Sequence, residues 1–239
     1  MAPTEIVIDR SIGQERGEIS SSMVKKQLAA ANGSPITCRI HSDGGSVFEG
    51  LAIFDAFAAY PGPKRCIVES SAFSMASVVA MAFSVREITS NGFLMVHNPE
   101  STDGTELPVL EKLRQRMAAI YAQTTRQPIA SITRLMAAET FLDASESLRL
   151  GFVTSIAPMT QRAVAAFQSS LRGNKNFHAA IVARLRNETA TAKGEWTSKV
   201  KAAYAQTGNA AKAICQVDRT NPGLRQRFIQ EANKERSRG

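Results

Sequence analysis

The chain of 239 residues is poor in cysteine, tryptophan and histidine, with three, one and three of these. Cys38, Cys66 and Cys215 make an odd set without Cys-x-x-Cys spacing. That argues against a disulfide framework or a zinc cluster and suits a reducing, cytoplasmic setting. No stretch approaches the eighteen or more uncharged apolar residues of a spanning helix, so no membrane partner is expected. The start, Met1 to Glu15, carries acids early and has no apolar signal core, which speaks against secretion. No spacing implies a metal or an organic cofactor, and no internal repeat stands out. Any chemistry must therefore come from side chains and backbone alone.

What is present is ordinary in bulk and uneven in charge. Apolar residues make up 44% and charged residues 21%, as in a globular protein. The length suits one substantial domain with an appendage. The net charge is +8, and it is concentrated late in the chain. From Gln161 onward there are fifteen Lys and Arg against five Asp and Glu, whereas the preceding residues hold fourteen against sixteen. A nearly neutral body over residues 1–160 thus carries a basic, Ala-rich extension over 161–239. Such an extension is a solvated helical tail or a surface for nucleic acid or an acidic partner.

Along the body, apolar patterning alternates between strand and helix. Glu5–Asp9, Ile36–Ile40, Cys66–Val68, Arg86–Thr89, Phe93–Val96 and Phe152–Ile156 read as strands. Met23–Ala31, Phe48–Tyr60, Leu107–Thr124, Pro128–Ala138 and Ala144–Leu150 read as helices, several ended by Gly or Pro. Ser74–Phe83 is apolar on nearly every side, and such a helix is buried. This order predicts an α/β fold of repeated βαβ units with a largely parallel sheet. The extension offers only short helical stretches, Ala163–Leu171, Phe177–Arg186 and Ala210–Ile214, and is predicted helical or partly disordered.

Three separated features carry chemistry. Ser42-Asp43-Gly44-Gly45-Ser46 follows a strand and precedes a helix. Paired glycines allow backbone angles closed to other residues, so a substrate carbonyl can approach their N–H groups. The same residues also make an ordinary turn. Ser74 stands where a strand ends and the apolar helix begins, either as a nucleophile or as a helix N-cap. His97 ends an apolar strand, at the edge where α/β sites form. Serine needs an adjacent base to take its proton, and histidine suits that task near neutral pH. His41 abuts the glycine loop and His178 lies in the extension, so His97 is the best placed of the three.

In this order the three resemble the Clp protease proteolytic subunit family. The matching runs are Ile40 to Asp55, Ala72 to Ser77 (Ala-Phe-Ser-Met-Ala-Ser) and Met95 to Pro99 (Met-Val-His-Asn-Pro). The stretch Glu139 to Val153 is similar to the family's closing segment, and the resemblance covers roughly residues 4 to 157. It implies a ClpP/crotonase-like fold and a serine endopeptidase acting on proteins or peptides through an acyl-enzyme, without metal or cofactor. It makes Ser74 the nucleophile, His97 the general base, and the N–H groups of Gly45 and Met75 the oxyanion hole. Glu139 falls on the third catalytic position, where ring-forming housekeeping members have aspartate, and Asp143 is the reserve. The resemblance also implies a homo-oligomeric ring.

Departures from the family pattern narrow the expectation further. Asp43 stands where proline is common, and Ser70 where a glycine usually opens the nucleophile motif. The interval from His97 to Glu139 is several residues shorter than in the housekeeping enzyme, which makes stacked double rings the less expected assembly. The Glu-Thr-aromatic segment, the short N-terminus and the tail resemble the phage head-maturation branch, whose members cleave scaffold and capsid proteins without an ATPase. An acyl-CoA enzyme of crotonase type would not need the Ser74 and His97 pair. A serine–lysine peptidase would need a lysine beside Ser74, and Lys64 lies in a turn. A shell-like protein without turnover is the non-enzymatic alternative.

Overall fold

The structure, a computed structural model, describes residues 3–101, 108–158, 160–166, 194–207 and 216–217. The chain divides into two compact units, Met1–Ala157 and Pro158–Gly239.

The first unit is an α/β fold around a seven-stranded sheet. Its strands are β1 (Thr4–Ile8), β2 (Ile36–Ser42), β3 (Lys64–Phe73), β4 (Val85–Thr89), β5 (Phe93–Val96), β6 (Thr140–Asp143) and β7 (Ser155–Ala157). The order runs β1-β2-β3-β4-β7, with β5 paired to both β3 and β6. Every pairing is parallel except that of β5 with β6. The helices are α1 (Ser21–Ala31), α2 (Val47–Ala59), α3 (Met75–Ala80), α4 (Pro108–Thr125), α5 (Ile129–Ala137) and α6 (Ala144–Arg149).

The ten-residue β3 is the spine of the sheet. Its first half pairs with β4 and its second half with β5, so two short strands share one edge. Sequence patterning predicts only Cys66–Val68 here, because Glu69, Ser70 and Ser71 are polar. All three are nonetheless buried. Glu69 is accommodated because Arg39 of β2 reaches its carboxylate at 2.9 Å and also holds Glu5 of β1 at 2.7 Å. The opposite face of β2 is apolar: Ile36, Cys38 and Ile40 are almost wholly inaccessible, as period-two alternation requires. Cys38 and Cys66 are register partners across β2 and β3. Burial pushes both thiols up, Cys66 to about 12, so neither is a reactive thiolate near neutral pH.

All six residues of α3 are buried, as expected of a helix with no polar face, although it is shorter than the predicted Ser74–Phe83. Phe57 of α2 packs on Phe83 with ring centroids 4.8 Å apart. Helix α1 begins two residues before the predicted start, because the Ser20 hydroxyl accepts from the Met23 N–H and caps it. Strand β6 has no counterpart in the sequence reading. Its four residues carry too little alternation to show without their partner β5.

In the second unit, residues 161–166 and Gly194–Thr207 are helical. The sequence reading assigns no helix between Phe177–Arg186 and Ala210–Ile214, where Gly194–Thr207 lies. Glycine is tolerated at a helix N-terminus, where it interrupts nothing. The predicted stretches Phe177–Arg186 and Ala210–Ile214 lie outside the described residues, as do His178 and Cys215. No helix among the described residues is long and apolar enough to cross a membrane.

Candidate active site

The site forms where β2, β3 and β5 end together. The chain leaves β3 at Phe73 and enters α3 at Met75, so Ser74 must reverse direction in one residue. It does so with φ 52° and ψ −125°, in a region that non-glycine residues rarely occupy. Such a conformation costs of order 1–3 kcal/mol and persists only when its surroundings over-determine it. The Ser74 N–H donates to Met95 O at 2.9 Å, and Ser74 O accepts from Ser77 N at 3.0 Å. The side chain makes no capping bond to the helix, which removes the N-cap explanation of this serine. Its Oγ instead lies 2.7 Å from His97 Nε2.

His97 arrives by the β3–β5 pairing, in which Phe73 is register partner of Met95. Ser74 follows this pairing by one residue and His97 by two, so the register brings both side chains to the same end of the sheet. Phe73 is in turn held by Phe141 of β6, edge-on at 5.5 Å.

The glycine loop closes the opposite side. Gly44 has φ 92° and Gly45 φ 140°. A Cβ on Gly44 would stand 2.7 Å from Ser74 Cβ and 2.9 Å from Met75 N, so the loop lies directly against the serine turn. A Cβ on Gly45 would strike Ile12 O at 2.2 Å. The Ile12 N–H donates to Gly44 O at 2.7 Å, and the Ser46 N–H donates to Ile12 O at 2.8 Å. The Ser42 hydroxyl donates to Arg10 O at 2.6 Å and accepts from the Gly44 N–H at 3.1 Å. These bonds leave the Gly45 N–H out of the bridge to Ile12. The Met75 N–H is the first of α3 and has no partner within its helix. The Met75 N–H therefore adjoins the serine, and the Gly44-Gly45 loop packs against the same turn, the kind of backbone from which an oxyanion hole is built.

The acids are disposed differently from the expectation. Val96 pairs with Thr140 in the β5–β6 ladder, so Glu139 occupies the next position, across from His97. It turns the chain from α5 into β6 with φ 45°, and its side chain is exposed. Among the described residues no hydrogen bond joins it to His97. Asp143 pairs with Phe93 at the far end of the ladder, about 13 Å from His97 at strand rise. Its carboxylate accepts from the Glu146 N–H in a capping box at the start of α6. Asp143 is therefore a structural cap, which corrects its standing as reserve third member.

His41 also lies outside the pair. Its Nδ1 is 3.1 Å from Ser71 Oγ, and burial lowers its affinity for a proton despite Asp43 nearby. Burial likewise raises the Asp43 carboxyl. Two contributors escaped the sequence reading. The Arg10–Ile12 segment that pins the glycine loop carries no motif. Ser77 had a signal, as the lone polar residue within an apolar helix.

Fold and site together define an α/β protein with a serine–histidine pair at the carboxyl edge of a largely parallel sheet, beside a glycine loop packed on the serine turn. Residues 4–160 match the Clp protease family, and the chain belongs to that family. It is 32% identical over 127 residues to an ATP-dependent Clp protease proteolytic subunit of Pleurastrum terricola, covering 49% of this chain and 65% of the relative. It is 30% identical over 136 residues to proteolytic subunit 1 of Protochlamydia amoebophila (strain UWE25), covering 52% and 66%. The chain thus spans just under two thirds of the length of these relatives. The solved structure of ClpP1 from Listeria monocytogenes superposes with a TM-score of 0.58 at 24% identity, over 66% of this chain and 94% of that one.

Proposed function

We propose that the chain is a serine endopeptidase that hydrolyses protein or peptide substrates through an acyl-enzyme. The observation that carries this reading is the 2.7 Å contact between Ser74 Oγ and His97 Nε2 at a strained turn. His97 takes the hydroxyl proton as Ser74 Oγ bonds to the scissile carbonyl carbon. The carbonyl oxygen becomes an oxyanion facing the N–H groups of Gly45 and Met75. As the carbon–nitrogen bond breaks, the imidazolium returns its proton to the leaving amine. Water then repeats the sequence to release the acid. Glu139 is the acid proposed to orient His97. Its support is its place in the β5–β6 register, across from His97.

The biological reading is a head-maturation protease that works as a homo-oligomeric ring on scaffold or capsid proteins without an ATPase. The Glu139-Thr140-Phe141 segment and the basic extension support it. The names of the relatives support the alternative, a subunit served by an ATP-driven partner. Incubation with a fluorophosphonate probe, followed by mass spectrometry, tests the chemistry. Labelling of Ser74 that is lost in His97→Ala upholds it, and an unlabelled folded protein overturns it. Degradation of casein by the purified chain without ATP favours the first biological reading over the second.

A further inference from the structure

Beneath the Ser74 turn lies a buried hydroxyl with more partners than a structural serine needs. Ser77 is fully buried. Its Oγ is 2.6 Å from Ser74 O, 3.0 Å from Met95 O and 2.7 Å from the Tyr121 hydroxyl. A serine hydroxyl has one proton. That proton is shared between the two carbonyls, so Tyr121 must be the donor toward Ser77 Oγ. Tyr121 is itself fully buried, and burial raises its phenol well above the usual value. It therefore stays protonated and able to donate at any working pH. Its ring packs on Phe152 at 5.6 Å, and Thr125 Oγ1 donates to its carbonyl at 2.7 Å.

A serine inside a helix commonly bonds back to a carbonyl three or four residues earlier. That habit accounts for the bond to Ser74 O. It does not account for Met95 O, on another strand, or for Tyr121 on α4. Met95 O also accepts the Ser74 N–H at 2.9 Å, and Met95 stands two residues before His97. One hydroxyl thus ties the carbonyl of the serine turn to the strand that delivers the histidine.

We propose that Ser77, oriented by Tyr121, is a positioning residue that holds Ser74 and His97 at reacting distance. This rests on the reading of Ser74 and His97 as nucleophile and base. The mechanism is geometric. Loosening the tie lets α3 and β5 separate, and misplacement of about 1 Å can lower a rate by about 100-fold.

The test uses Ser77→Ala, Tyr121→Phe and the double variant in the full-length chain. Ser77→Ala alone strands the Tyr121 hydroxyl in the core and lowers stability. The double variant removes both polar partners, a change that is often nearly neutral for stability. Active-site titration with the fluorophosphonate counts folded sites, and the labelling rate per titrated site then reports geometry alone. The double variant should melt near the parent temperature yet label Ser74 at a rate per site lower by about tenfold or more. A double variant that labels at the parental rate per site overturns the proposal, whatever its stability. If the parent protein itself leaves Ser74 unlabelled, the reading of the catalytic pair fails, and the positioning role falls with it.

Discussion

Alanine at Gly44 adds one methyl group at the most crowded point of the site. The new Cβ would meet Phe73 O at 2.6 Å, Ser74 Cβ at 2.7 Å and Met75 N at 2.9 Å. Two of these three are backbone atoms that cannot rotate aside. Gly33 provides the control. It has φ 77° against 92° at Gly44, but nothing lies within 4 Å of its added Cβ. The left-handed conformation costs alanine roughly 1–2 kcal/mol at either position. Loss of freedom in the unfolded chain offsets about 0.4–1 kcal/mol of that. Gly33→Ala should therefore cost between about 0 and 1.6 kcal/mol. Gly44→Ala adds overpacking of typically 1–3 kcal/mol. For a unit of this size each kcal/mol lowers the melting temperature by about 2–4 °C, so Gly44→Ala should melt roughly 2–12 °C below Gly33→Ala. The same methyl displaces the Gly45 donor from Ser74, and fluorophosphonate labelling per folded site should fall by about 100-fold. Thermal melts and labelling rates on the two variants decide the matter. Equal melting temperatures, or a parental labelling rate in Gly44→Ala, would refute the packing of the glycine loop on the serine turn.

Other expectations follow from buried polar groups. Arg86 is buried and its guanidinium donates to the carbonyls of Phe83, Phe152 and Gly151. Arg86→Met strands all three, and urea unfolding should show a loss of about 3 kcal/mol or more; a loss under about 1 kcal/mol would contradict these bonds. Glu49 accepts from Ser21 N and Gln14 Nε2, both at 2.6 Å, which lowers its carboxyl below the usual value. A depressed folded value means that its stabilisation is present above about pH 4.3, the ordinary glutamate figure. That stabilisation is lost as the pH falls through the folded value. The gap in urea midpoint between the parent and Glu49→Gln should thus narrow below about pH 4, whereas parallel curves down to about pH 2.5 would disprove the linkage. Asp143→Ala should cost about 1 kcal/mol through its lost cap and leave Ser74 labelling unchanged. Glu139→Gln should do the reverse, slowing labelling with little effect on the melt. Exchange of these two outcomes would overturn the assignment made from the β5–β6 ladder.

The parts of this site that were legible in the sequence share a short range. Gly44-Gly45 after a strand, Ser74 before an apolar helix and His97 after an apolar strand are each signalled by residues a few positions away. The parts that were not legible are made by partners distant in sequence. The second half of β3 is a strand because β2 and β5 flank it, although Glu69-Ser70-Ser71 reads as a loop. Burial of Glu69 requires Arg39, thirty residues earlier. Strand β6 exists because β5 offers it an edge. The bond between Ser77 and Tyr121 spans 44 residues, and nothing near either residue announces the other. Asp143 was misjudged for a related reason. In sequence an acid near the expected position is a candidate, whereas its capping bond to Glu146 is visible only once α6 is formed.

The sandwiching of β5 between β3 and β6 also has a meaning in time. During synthesis Ser74 leaves the ribosome first and His97 follows, but the outer partner of the histidine strand comes only with Thr140–Asp143. At roughly 5–20 residues per second, that partner emerges on the order of 3–13 s after the serine. Through that interval the nascent chain carries a serine whose histidine strand is held on one side only. The serine–histidine pair thus gains its full strand framework only when most of its own domain has left the ribosome.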